Sequence, residues 1–213
     1  MINFMDKHVD VGIGICKVNL PSGLLQKVCG RFPTLWGELK TLTIDQIVPG
    51  TLNYTKWRMM HDFSYNEYKE VDWVSGVFHF IRKEVIEKIG FYDENFPIYY
   101  EDVDYCYRLK NTRYTCAFNP NTSILHYHGM TMSGGKTKNY KRFIYNISSC
   151  LYYIKKHTTT IQSTLFSLAL HIICHLLLVL SLIANVITMF QIQRFRNTYK
   201  KFQETIFSFY INS

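Results

Sequence analysis

Residues 165–190 carry no Asp, Glu, Lys or Arg, a run of 26 residues reading LFSLALHIICHLLLVLSLIANVITMF. At ~1.5 Å rise per residue, a helix of this length crosses a ~30 Å hydrocarbon core with some tilt. A core helix of a soluble domain usually keeps a polar face along its length, and this run has none. We therefore expect one transmembrane helix over 163–190. His171 and His175 stand at i, i+4 on one face, which is metal-ligand spacing. With no carboxylate nearby, they read better as neutral histidines packed at a helix interface.

The flanks of this run are basic. Lys136–His157 reads KTKNYKRFIYNISSCLYYIKKH, with Phe143, Ile144, Ile147, Leu151 and Ile154 at helical spacing. Lys138, Lys141, Arg142, Lys155 and Lys156 surround them, with four tyrosines. Such a helix suits the surface of an anionic leaflet, so 136–160 is expected to be a basic amphipathic helix and 191–213 a short basic tail. The whole chain has 24 Lys plus Arg against 16 Asp plus Glu, a net charge of +8. That balance favours an anionic partner. Because the basic residues gather beside the apolar run and not among the expected strands, the partner is a membrane and not nucleic acid.

Residues 1–135 read as a soluble α/β segment. A glycine-containing apolar strand covers 9–18, and Leu20-Pro21-Ser22-Gly23 is turn chemistry. The stretch 41–70 shows no sustained period and is expected to be a long loop or lid. A strand follows over 71–81, then a helix over Lys83–Ile89 stopped by Gly90. A second helix opens near Glu101 and runs to about Lys110, and two short strands are expected over 114–118 and 123–128. The six cysteines show no C-x-x-C and no zinc spacing, so they are expected to be reduced thiols of a cytosolic domain.

The densest chemistry is Asp93-Glu94 followed by Glu101-Asp102-Val103-Asp104. Carboxylates in the first turn of a helix meet unpaired N–H groups and the positive end of the dipole. Such a group could accept a proton, hold a metal or simply cap the helix, with Asp104 pairing Arg108 at i, i+4. His126 and His128, two apart on a strand, share a face. An imidazole there could ligate a divalent ion or contact a diphosphate. Trp73 offers either a stacking face for a sugar ring or core packing at a strand start. Gly76 either lets a ligand approach the backbone or marks a bulge.

The run 72–128 combines Trp73 to Gly76, Ile81 to Glu84, Gly90 to Glu94, Tyr99 to Asp104, Arg108-Leu109, Pro120 and His126. In that order it closely resembles the second half of the catalytic domain of family 2 glycosyltransferases, especially their rhamnosyltransferase-like branch. With VDVGIGICKVNLPSG and RFPTLW upstream, the resemblance covers roughly residues 5–157. It implies a partial GT-A fold over 1–135, followed by the interfacial and transmembrane helices. Asp102 would be the catalytic base of an inverting transfer, with Glu101 orienting the loop or the acceptor. Trp73, Gly76 and Asp104 would lie on the substrate side, although Asp104 also reads as structural through Arg108. His126 would hold Mn²⁺ or Mg²⁺. The partners implied are a nucleotide-sugar donor and a lipid-linked or polysaccharide acceptor, with the catalytic segment on the cytoplasmic side of the membrane.

Two departures stand out. Tyr92 occupies a place where the family usually has Phe. In addition, no D-x-D lies in the first 60 residues, so the nucleotide-binding part is expected to be missing. A catalytically inert remnant and a membrane-anchored interaction protein are the alternative readings.

Overall fold

The computed structural model describes residues 1–47, 54–127, 136–187, 200, 201, 203 and 204. In chain order, α1 (Ile2–Lys7) leads into β1 (Val11–Asn19), then β2 (Leu25–Gln26) and β3 (Cys29–Gly30). Three short helices follow: α2 (Leu35–Leu42), α3 (Ile44–Ile47) and α4 (Tyr54–Arg58). Next come β4 (Lys69–Val71), β5 (Trp73–Val74), β6 (Phe80–Ile81), α5 (Lys83–Ile89), α6 (Glu101–Leu109) and β7 (Thr115–Leu125). Two long helices, α7 (Lys136–His157) and α8 (Thr160–Ile187), complete the described elements.

The chain divides into two compact units. One comprises Met1–Pro33 with Thr55–Gly135, the other Thr34–Tyr54 with Lys136–Ser213. The first is a mixed α/β unit around β1. The first six residues of β1 are all buried, as expected of a near-continuous apolar run in a central strand. On one side β1 pairs parallel with β7, and β7 pairs antiparallel with β4. On its other side β1 pairs antiparallel with β6 and β2. β3 and β5 form a separate antiparallel pair. Phe118 packs edge to face with both Phe63 and Tyr65 in the core, and the Tyr65 hydroxyl accepts from the amides of Val28 and Cys29 at 3.0 Å each.

Three sequence expectations are corrected here. The single strand over 71–81 is three short ones, because Asp72 turns away to accept from the Phe32 amide at 2.8 Å and a turn separates Val74 from Phe80. The two strands over 114–118 and 123–128 are one strand, β7, with a register shift. Cys16 faces Asn119 while Lys17 faces Ser123, so residues 120–122 bulge where Pro120 has no N–H to give the ladder. The expected loop over 41–70 contains α3 and α4, with residues 48–53 outside the described ones. The α5 bounds and its Gly90 stop, at φ 73°, match expectation. All six cysteines are free and buried.

The second unit is helical. The Thr34 hydroxyl accepts from the Gly37 amide at 3.1 Å and starts α2. The carboxylate of Glu38, 2% exposed, accepts from the Tyr54 hydroxyl at 3.1 Å and lies 3.8 Å from Cys150 Sγ on α7. Along α8, Phe166, Leu170 and Cys174 form a buried stripe. Ile161, Leu165, Leu168, Ile172, Leu176 and Val179 are exposed on the rest of its surface. Among the described residues one helix is long and apolar enough to cross a membrane, over Thr160–Leu180, with mean hydropathy 2.1. His171 is half-buried and His175 exposed, with ring centroids 4.2 Å apart.

Candidate functional site

Of the carboxylates singled out in the sequence, Glu101, Asp102 and Asp104 lie in the first turn of α6, within the α/β unit. Two tyrosines precede it in left-handed backbone, Tyr99 at φ 67° and Tyr100 at φ 65°. Such conformations cost about 1–3 kcal/mol each for a residue other than glycine and persist only when the surroundings hold them. Here Tyr100 is 3% exposed, and the Arg58 guanidinium lies 4.9 Å from its ring centroid. The strain ends where Glu101 and Asp102 begin.

Asp102 is held by two N–H donors, one on each carboxylate oxygen. Gly76 N donates to Oδ2 at 3.0 Å, and Val103 N donates to Oδ1 at 2.8 Å. The second bond is the helix-terminus contact expected from sequence. The first comes from the turn between β5 and β6. A methyl group built on Gly76 would lie 3.5 Å from Asp102 Cβ and 3.9 Å from Oδ2. Glycine there leaves that space above the carboxylate open.

Glu101 is partly buried, with Oε2 shielded from solvent and lacking a hydrogen-bond partner. Burial first, and the charge of Asp102 second, push its carboxyl above the usual range. The two neighbours therefore differ in chemistry. Both oxygens of Asp102 accept an amide N–H, whereas burial pushes the Glu101 carboxyl toward its protonated form.

Two residues that sequence reasoning did not select complete the surroundings. The His79 ring lies 2.7 Å from the Val74 carbonyl through Nε2 and 2.5 Å from the Tyr92 hydroxyl through Nδ1. Burial lowers the His79 pKa from its ordinary 6.5, outweighing the opposing pull of the Val74 bond and of Asp102. The unfolded chain therefore binds the proton more readily below that value. Full stabilisation is expected above pH 6.5, falling by up to about 1.4 kcal/mol per pH unit below it. Urea denaturation of wild type and His79→Gln between pH 7 and 5 checks this, since the variant should show the shallower decline.

The remaining predicted residues sit apart from this carboxylate pair in their bonding. Trp73 is 5% exposed, and its indole N–H donates to the Arg31 carbonyl at 2.9 Å. Asp104 is fully buried. Its Oδ2 accepts from Arg108 Nε at 2.9 Å, while Arg108 also donates to the carbonyls of Ile89 and Phe91. The contact is the i, i+4 pairing with Arg108 that the sequence spacing suggests.

His126 follows β7, its Nδ1 donating to Gln26 Oε1 at 2.8 Å and its amide to the Asn19 carbonyl at 2.9 Å. His128 lies outside the described residues. Among the described residues no group of three or more His, Cys, Asp or Glu is placed to hold a metal. One imidazole does not supply the oxygen-rich shell that Mg²⁺ requires. The described side chains therefore do not by themselves fit a complete divalent-ion site.

A family model described as Glycosyl transferase family group 2 matches residues 49–208, well over half of the chain. The match runs through α6, α7 and α8, so the apolar helix lies inside the matched region. No curated protein and no solved structure matches the chain.

Proposed function

Because the chain belongs to glycosyl transferase family group 2, we propose that it moves a sugar from a nucleotide-sugar donor to a lipid-linked or polysaccharide acceptor by inverting displacement. The observation that carries this reading is the Asp102 carboxylate, fixed by the Gly76 and Val103 amides at the open start of α6. Its mixed α/β unit agrees with a partial GT-A fold. In the transfer, Asp102 takes the acceptor hydroxyl proton as that oxygen attacks the anomeric carbon, opposite the departing nucleoside diphosphate. Glu101, biased toward its protonated form, orients the loop or donates a hydrogen bond to the acceptor.

The resemblance to the rhamnosyltransferase-like branch points to a deoxyhexosyl or hexosyl donor. In this reading His126 would hold a divalent ion on the donor diphosphate only together with ligands other than the described side chains. The ion would neutralise charge on the leaving group. The remaining steps rest on protein side chains alone.

Gly76→Ala tests the site without removing a charged group. The added methyl meets only ordinary van der Waals contacts, so the variant should fold with a melting temperature close to wild type. Transfer from a nucleotide sugar should nevertheless fall about tenfold, because the methyl fills space over Asp102. Unchanged turnover in a folded variant would mean that the acceptor does not approach Asp102 past Gly76.

Membrane attachment through α8 is the second part of the reading, with the α/β unit on the cytoplasmic face. It is supported by the exposed apolar surface of the helix and its mean hydropathy of 2.1. The full chain should stay with membranes through an alkaline carbonate wash and come off only in detergent. Arginine at both Leu168 and Leu176 should shift it toward the soluble fraction, each charge costing about 2.5–3.5 kcal/mol at the bilayer centre. A full chain that stays soluble without detergent ends this reading.

A further inference from the structure

The hydroxyl of Tyr92 is the atom by which this chain departs from the phenylalanine usual in the family pattern, and it is spent on His79. A backbone carbonyl only accepts, so His79 Nε2 must carry the proton given to Val74. Burial keeps the ring neutral, which leaves Nδ1 as a lone pair. Tyr92 O–H is the donor that matches it, at 2.5 Å. The His79–Val74 bond closes the turn between β5 and β6, and Gly76 sits inside that turn with its N–H on Asp102.

The other end of the contact is equally anchored. The Tyr92 ring stacks on Tyr105 of α6, centroids 4.6 Å apart and planes 27° from parallel. Tyr105 in turn donates its hydroxyl proton to the Gly90 carbonyl at 3.1 Å. The turn is thus tied to α6 through Gly76 to Asp102 and through His79 and Tyr92 to Tyr105, while the Cys106 thiol of α6 lies 4.0 Å from the Val74 carbonyl at its start. The Cys106 contact and the Ser75 amide on the Val28 carbonyl hold the start of the turn, and the His79–Tyr92 contact holds its far end, so together they set the distance and angle at which the Gly76 amide meets the carboxylate.

We infer that Tyr92 and His79 form a positioning pair that locks the β5–β6 turn and so aims the Gly76 amide at Asp102. The inference rests on the transferase reading only for its effect on rate; the geometry it claims can be measured in the free protein. Neither residue is a catalytic residue, since each acts through the turn. The charged and titratable groups acting on Tyr92 are Cys106, Asp102, Tyr105 and Glu101, and the one acting on His79 is Asp102.

The test uses the full chain in detergent micelles with glycine-selective ¹⁵N labelling. Tyr92→Phe keeps the stacked ring and removes only the hydroxyl, so it should fold. Its Gly76 amide should exchange with solvent about tenfold faster than in wild type, while Gly12 and Gly14 in β1 keep their rates. His79→Leu should do the same, and the double variant should be no worse than either single one, because the two residues act as a unit. Transfer in Tyr92→Phe should show a lower kcat with the donor KM unchanged.

Unchanged Gly76 exchange in Tyr92→Phe overturns the pair. So does acceleration shared equally by Gly12 and Gly14, which would mark general loosening, and so does simple additivity of the two variants. Should wild type show no transfer at all, the transferase reading fails. The exchange data would still decide the pair, and Asp102→Asn should then still shift the Gly76 amide resonance.

Discussion

Asp102→Asn is expected to slow sugar transfer by about 10²-fold or more with little change in donor affinity. Asparagine matches aspartate in size but has no basic oxygen to take the acceptor proton. The geometry adds a second penalty. The two carboxylate oxygens each accept an N–H, from Gly76 and from Val103. An amide has one oxygen, so its NH₂ must face one of those donors, and one hydrogen bond is lost whichever way it turns. Part of the loss is therefore positional. Glu101→Gln separates the parts, because it leaves both amide contacts on Asp102 intact and should reduce kcat far less. Single-turnover transfer with both variants checks this. A loss below about tenfold in Asp102→Asn, or equal losses in the two, would remove Asp102 from the role of base.

Local chemistry made some of this fold legible. The Lys83–Ile89 helix and its glycine stop, and the Lys136–His157 helix, are written in nearest-neighbour terms: spacing, a C-terminal glycine and a run of helix formers. What was not legible came from contacts distant in sequence. Nothing near Asp72 announces that it will accept from Phe32, 40 residues away, and so break the expected strand. Likewise residues 34–54 group with the long helices because partners such as Glu38 and Cys150, 112 residues apart, meet there.

The site divides along the same line. The place of Asp102 at a helix start was readable, whereas its bond to Gly76 was not. Trp73 and Asp104 each carried two readings, and their burial is something a sequence does not display. His79 and Tyr92 were missed. The available signals were a polar ring inside the apolar run VFHFI and a hydroxyl where the family usually has none. Each looks minor alone, and only the fold sets one against the other.

Arg108→Ala is expected to destabilise the α/β unit by about 3 kcal/mol or more. The i, i+4 spacing of Asp104 and Arg108 suggests a surface helix pair, which would contribute only about 0.3–0.5 kcal/mol. Burial changes that magnitude. Asp104 is fully buried, so removing its guanidinium partner leaves a carboxylate that has lost both water and its opposite charge. The same side chain donates to the carbonyls of Ile89 and Phe91 on either side of Gly90, which ties the end of α5 to α6. Three bonds are lost at once. Arg108→Ala paired with Asp104→Leu should recover a good part of the loss, because it removes the buried charge as well. Urea denaturation of the single and double variants in detergent measures both quantities. A loss under about 1 kcal/mol for Arg108→Ala would mean that water reaches Asp104 and that the pair behaves as an exposed one.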